Sequence, residues 1–135
     1  MSAQSLPFQC DPARTRACKM VPSSPWLLID LAVNGAVTIY FDPDTMEKAG
    51  RAWRAWTLQD YLRARDGGVR SEKVLIEFDC VSGRTRGLRV IQFAGHMGEG
   101  RIIDDVEDTT AWKRPKSGTL NEVMLDVICA KASLS

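Results

Sequence analysis

The chain ends in a well-marked amphipathic helix whose last turn carries a cysteine, Cys129. Thr119 and Glu122 fit the T-x-x-E capping box, in which the threonine hydroxyl accepts from the N3 amide and the glutamate reaches back to the cap amide. Apolar residues then recur at spacings of three and four, which gathers them on one stripe: Leu120, Val123, Met124, Val127 and Ile128, widened by Leu125 and Cys129. The helix must bury this stripe against another element.

The segment "KVLIEFDC" alternates more cleanly than any other in the chain and predicts a β-strand. Its two faces separate by side-chain type, with Val74, Ile76, Phe78 and Cys80 on one and mostly Lys73, Glu77 and Asp79 on the other. We expect the apolar face, which includes Cys80, to lie toward the core.

The placement of Cys80 and Cys129 predicts a disulfide that ties the helix to the sheet. Both residues lie on faces that must pack together, and four cysteines in a chain of 135 residues favour bridging in an oxidising compartment. The alternative is two unlinked, buried thiols in a cytosolic protein.

The rest of the chain divides into an arm and a domain. Residues 1–25 are polar, contain four prolines and show no apolar period, which predicts a flexible N-terminal arm. The domain spans residues 26–135 and starts with two short apolar runs joined through Asn34 and Gly35, a pair typical of tight hairpin turns.

The middle of the chain contains one ambiguous segment. In "RAWRAWTLQDYLRAR" the periodicity favours an amphipathic helix, although "AWTLQDY" also fits a strand. Further on, "TRGLRVIQF" predicts a strand with a bulge where its alternation slips between Arg89 and Val90, and "RIID" predicts a short edge strand.

Charge and hydropathy exclude some classes of function. The net charge of +1 gives no chain-wide attraction to nucleic acid, and we expect no nucleic-acid partner. No apolar run approaches the roughly 18 residues of a transmembrane helix. The first residues do not resemble a secretory signal, so we expect that a signal is absent from this sequence if the protein is exported.

The residues that carry enzyme chemistry are sparse. His96, the only histidine, lies in the glycine-rich turn "AGHMGEG" with no nucleophile motif around it. Cys10 and Cys18 with His96 match no common zinc spacing, and the acidic pairs after Arg101 do not repeat a calcium loop. We therefore predict no catalytic residues, no metal and no cofactor.

Several motifs follow one another in a characteristic order. They are "WLLID", "YFDPDTM", "AWTLQDY", "SEKVLIEFDC", "RTRGLRVIQF", and W-x-x-P-x-S at Trp112, Pro115 and Ser117 before a helix that ends in cysteine. This order resembles the surface-adhesin protein E family of bacterial envelope proteins. The resemblance covers about Trp26 to Lys131. It leaves the arm outside, where a bond between Cys10 and Cys18 stays open as an alternative.

The resemblance implies an α+β fold, with a small antiparallel sheet of about five or six strands backed by the C-terminal helix. It implies that "AWTLQDY" is a strand and that Cys80 and Cys129 are bonded. It also implies an extracytoplasmic location in the periplasm or at the outer surface, and adhesive binding to matrix and serum glycoproteins is attributed to the family's namesake.

Two functional hypotheses follow. The first is a non-enzymatic adhesin-like domain that contacts a protein or other macromolecule. A solvated surface is the simpler interpretation of the arginine-rich middle third of the chain. If this part binds a partner, our candidate contacts are Arg51, Arg54, Arg84, Arg86, Trp53 and Trp56. The second is a periplasmic module that binds a small molecule between sheet and helix, near the tryptophans. An exposed sheet edge would also allow a homodimer.

Overall fold

The computed structural model describes residues 26–31 and 36–134. Along the chain the elements are β1 (Leu27–Leu31), β2 (Val37–Phe41), β3 (Glu47–Ala49), β4 (Ala52–Arg65), β5 (Val69–Asp79), β6 (Arg84–Phe93), β7 (Ile102–Glu107) and α1 (Leu120–Ala132). The predicted α+β class is confirmed, with seven strands in the described part against the five or six expected. The arm, its Cys10 and Cys18, and the Asn34–Gly35 turn lie outside the described residues.

All the strands belong to one antiparallel sheet. The order is β1-β2-β4-β5-β6-β7, and β3 pairs with the beginning of β4. The long strands β4 and β5 occupy the centre, while β1 and β7 are the edges of the described sheet, β7 as predicted from "RIID". Self-association by strand addition at an edge stays a prediction.

The helix expected from the periodicity of residues 51–65 is wrong, and the strand implied by the family resemblance is confirmed as β4. A central strand is covered on both faces, so its burial does not alternate simply. Four of its buried residues, Ala52, Ala55, Leu58 and Tyr61, stand three positions apart and belong to both faces. This spacing imitates one face of a helix.

The main core lies between α1 and one face of the sheet. Met124 and Ile128 of the helix are almost fully buried, and they pack with Ala55 and Phe78 of the central strands together with Ile39 and Phe41 of β2. The helix begins as predicted, because the Thr119 hydroxyl accepts from the Glu122 amide at 3.3 Å. The Glu122 carboxylate accepts from the amide of Gly118 rather than from that of Thr119, at 2.9 Å.

The predicted disulfide between Cys80 and Cys129 is confirmed, with 5.6 Å between the two Cα atoms. Its surroundings differ from the expectation, since Cys80 lies just after the end of β5 and is exposed, and Cys129 is half-buried. The bond therefore joins the helix to the sheet at the margin of the core rather than at its centre.

The predicted bulge in β6 is present but displaced by one position. Leu75 and Ile76 of β5 pair with Arg89 and Gly87, so Leu88 is the extra residue. The single α-helix of the described part, with 13 residues, is too short to span a membrane.

Candidate partner-binding face

The side of the sheet away from α1 carries arginines and aromatic rings. The register pairs Glu77 with Arg54 on one side and Arg86 on the other. Because paired residues share a face and every second residue returns to it, the rows built on β4, β5 and β6 stand side by side. We call this surface the open face, formed by Arg54, Trp56, Leu75, Glu77, Arg86, Arg89 and Trp112.

Glu77 is the centre of the open face. Its side chain is only 3% exposed, and each carboxylate oxygen accepts from one arginine: Oε2 from Arg54 Nε at 2.7 Å and Oε1 from Arg86 Nε at 2.6 Å. Burial alone would raise the pKa of Glu77, but the hydrogen bonds and charges of the two guanidiniums outweigh it and lower the pKa.

The second arginine of this pair is also fixed by an aromatic ring. The Arg86 guanidinium lies 4.5 Å from the centre of the Trp112 ring. Trp112 precedes an isolated bridge in which Lys113 and Thr85 exchange two backbone hydrogen bonds of 2.8 Å. A carboxylate on one side and an indole on the other thus hold the guanidinium in a single orientation.

The other two candidate arginines lie at the end of the same rows. Arg51 donates from Nε to Asp79 Oδ2 at 3.2 Å, and Arg84 is the exposed cross-strand partner of Asp79. The Asp79 carboxylate also accepts from the amides of Val81 and Ser82, and the hydrogen bond from the Ser82 amide is the main cause of its lowered pKa. All four predicted arginines are therefore brought to one region of the open side.

The two candidate tryptophans are not brought together. Trp56 lies on the open face, in a shallow groove of about 280 Å³ shared with Trp26 and Lys73. Trp53 pairs with Phe78, so it faces the helix side, where Lys48 Nζ lies 5.7 Å from its ring. A single ligand on one face of the sheet cannot contact both rings.

Arg89 and Asp105 form an ion pair that the sequence reasoning missed. The guanidinium donates to both carboxylate oxygens, Nε to Oδ1 at 2.9 Å and a terminal nitrogen to Oδ2 at 2.6 Å. Asp105 belongs to the edge strand β7, so this pair extends the charged surface to the sheet edge. Asp105 stands in an acidic run, and only the register of β6 and β7 identifies it as the partner of Arg89.

The glycine-rich turn after β6 closes one end of the open side. Buried Ser71 donates to the carbonyl of Gly95 at 2.6 Å and accepts from the amide of Gly98 at 2.8 Å. His96 Nδ1 lies 3.3 Å from Asp60 Oδ1, and its side chain is 49% exposed. Within residues 26–31 and 36–134, no group of three or more histidine, cysteine or acidic side chains could hold a metal ion.

The charges of this region largely cancel. Five arginines, including Arg51 and Arg84, face the carboxylates of Glu77, Asp79 and Asp105, and the register adds Glu47 beside Arg54 and Glu107 beside Arg89. The surface carries fixed guanidinium groups beside indole rings, a composition that is common at the energetic centres of protein interfaces.

Comparisons with known proteins agree with this architecture. A family model described as surface-adhesin protein E matches residues 26–130. No curated protein gives a significant sequence match. A structure of Haemophilus influenzae protein E is similar, at 14% identity and a TM-score of 0.61, covering 84% of this chain and 89% of that one. The crystal structure of protein E from non-typeable Haemophilus influenzae, also at 14% identity, covers 87% and 83% with a TM-score of 0.59. At this low identity the two structures support the fold alone.

Proposed function

Because the chain belongs to the surface-adhesin protein E family, we propose that it is a non-enzymatic, extracytoplasmic domain that binds an acidic macromolecular partner through its open face. The observation that carries the proposal is the fixed pair Arg54 and Arg86 on either side of buried Glu77. The location is supported by the disulfide between Cys80 and Cys129, since such bonds persist in oxidising compartments.

The arginine pair suits binding because little conformational entropy is left to lose. Each guanidinium uses its Nε–H on Glu77, which leaves the terminal N–H groups available to a partner. The Arg54 and Arg86 side chains remain 40% and 32% exposed. A carboxylate that docks on them meets donors already in place, which reduces the entropic cost of association.

Binding to immobilised matrix and serum glycoproteins, the partners that the family resemblance implies, tests the proposal. The first variant is the double charge reversal Arg51→Glu with Arg84→Glu, which changes two exposed groups and spares the Glu77 cluster. We expect weaker binding and a flatter dependence of affinity on ionic strength. Arg63→Glu with Arg101→Glu makes the same charge change at exposed positions outside the open face and serves as the matched control.

A second variant separates charge from geometry. Arg54→Lys with Arg86→Lys keeps both charges but loses the planar fork and the stack on Trp112. We expect this variant to bind more weakly while its attraction at low ionic strength persists. If both sets of variants bind every probe like the unmodified protein, or if the control loses as much affinity, the open face is not the binding surface.

A small-molecule function is a second candidate, supported by the groove around Trp56. The sequence hypothesis placed the ligand between sheet and helix, whereas this groove of about 280 Å³ opens on the other side, beside Trp26 and Lys73. Titration with small anions should quench tryptophan fluorescence, and Trp26→Phe with Trp56→Phe should abolish the change. Quenching that survives this double replacement would reject this candidate.

A further inference from the structure

A positive surface lies on the helix side of the sheet, away from the open face. Between β6 and the beginning of α1, the extended segment 110–116 borders a groove of about 330 Å³. The groove is lined by the cationic residues Lys113, Arg114 and Lys116, by Arg86, whose guanidinium lies on the open face, and by Thr119 and Asn121 at the beginning of α1. The motif "WKRPKSG" supplies three of these cations within four positions.

Three of the cations at this groove have no ion-pair partner in the described part of the chain. Lys113, Arg114 and Lys116 are exposed, and none of them forms an ion pair within residues 26–31 and 36–134. No aspartate or glutamate lines the groove itself. Arg114 also borders a neighbouring groove that contains Glu122 and Asp126, and the Glu122 carboxylate accepts from the Gly118 amide.

The surroundings of the groove favour an anion that is attached to a group with hydroxyls. The positive end of the α1 dipole points toward the same region, where Thr119 is the cap residue. The floor is formed by small residues such as Gly87, where an added Cβ would meet only Thr110 atoms, at 3.8 and 4.0 Å. The volume lies near the lower limit of small-ligand sites, which suits about one sugar unit rather than a large cofactor.

We propose that this groove binds a sulfate or phosphate ester carried on a sugar. Lysine and arginine recognise such oxyanions through charge-assisted hydrogen bonds, and the Asn121 amide suits the sugar hydroxyls. The site goes beyond the proposed open-face function: Lys113, Arg114 and Lys116 are not part of that face, and only Arg86 borders both surfaces.

The experiment uses defined probes on the whole chain. A sulfated disaccharide of the heparin type, its unsulfated counterpart, glucose 6-phosphate and inorganic sulfate and phosphate are titrated by calorimetry and by amide chemical shifts. We expect shifts at Gly87, Lys113 and Asn121 with one or both esterified sugars, and none with the unsulfated disaccharide. Comparison of the sulfated disaccharide with glucose 6-phosphate identifies which ester the groove binds.

Two variants and one control test the assignment. Lys113→Gln with Arg114→Gln and Lys116→Gln should weaken binding by about tenfold or more, the equivalent of 1.4 kcal/mol. Gly87→Glu, which places a carboxylate in the groove without removing a cation, should weaken binding similarly. Arg63→Gln with Arg101→Gln and Lys131→Gln removes the same charge from exposed positions outside the groove and should leave binding within about twofold.

Several results would overturn the proposal. These are the absence of binding by either esterified sugar, equal binding of the unsulfated disaccharide, chemical-shift changes that map elsewhere, or an equal loss in the control. Failure here leaves the open face untouched, because the variants tested there change different residues.

Discussion

The buried carboxylate of Glu77 allows the sharpest prediction about stability. Glu77→Gln keeps the size of the side chain and removes its charge. Each arginine donates to a different carboxylate oxygen, and in the amide one of these oxygens is replaced by an NH2 group that presents donors to its arginine instead of accepting from it. Arg54 and Arg86 would then stand close together without the anion that lies 2.7 and 2.6 Å from their Nε atoms.

The structure sets the size of the loss. Removing one member of a buried ion pair costs about 3–5 kcal/mol, and each hydrogen bond to a charged group contributes about 1.5–3 kcal/mol. Because the arginine side chains are 40% and 32% exposed, water can rehydrate them and reduce the cost. We therefore expect Glu77→Gln to lower the free energy of unfolding by about 2–3 kcal/mol at neutral pH.

The loss should depend on pH in one direction. The fold lowers the pKa of Glu77 from its ordinary value of 4.5, so the ion pair stabilises fully above that value. Its contribution falls as the pH drops through the folded-state pKa, where the native carboxylate becomes protonated. The difference between the unmodified protein and Glu77→Gln should thus be constant near neutrality and shrink below about pH 4.5.

Urea denaturation across this pH range measures both effects. Glu99→Gln is the control, since Glu99 is exposed and its carboxylate makes no hydrogen bond or ion pair within the described residues. The reasoning is refuted if Glu77→Gln unfolds within about 0.5 kcal/mol of the unmodified protein at neutral pH. It is also refuted if the deficit stays unchanged in acid.

Three further predictions concern the frame of the domain. Replacing Cys80 and Cys129 by alanine opens a loop with a sequence separation of 49 and should cost about 4 kcal/mol in urea denaturation; a loss below about 1 kcal/mol would contradict the entropic account. Ser71→Ala removes a buried hydroxyl that holds two backbone groups of the turn after β6. It should lower the free energy of unfolding by about 1–3 kcal/mol and speed amide exchange in that turn. Unchanged exchange would exclude this role. Gly83→Ala forces alanine to a φ of +73° and should lower the free energy of unfolding by about 1–2 kcal/mol, measured by thermal unfolding. Gly87→Ala, at a strand position without positive φ, should not cause this loss. Equal losses would contradict the backbone argument.

The elements with one buried face could be predicted from the sequence. The capping box at Thr119 located the start of α1, and the alternation before Cys80 located β5. Their apolar faces, together with four cysteines, were enough to predict the disulfide. The strand β4 could not be predicted from its period, because a central strand buries residues on both faces and the alternation of period two disappears.

The candidate site was predicted less well, for reasons of register. Trp53 and Trp56 stand three positions apart, which places them together on a helix but on opposite faces of a strand. The alternation of β5 places Glu77 on the charged face but does not reveal its partners. These lie 23 positions before and 9 positions after it, on neighbouring strands. Only pairing between strands brings these groups together, and pairing is not encoded in local periodicity.

The bond between Cys80 and Cys129 also determines how the domain would carry mechanical load. Tension applied to the chain beyond Cys129 would pass through the two sulfurs into the end of the central strand β5. The segment 81–128, which includes β6, β7 and the larger part of α1, lies inside a closed covalent loop and cannot be pulled out by that tension. A domain that holds a partner while its tether is stretched would therefore keep Arg86, Arg89 and Trp112 out of the line of force.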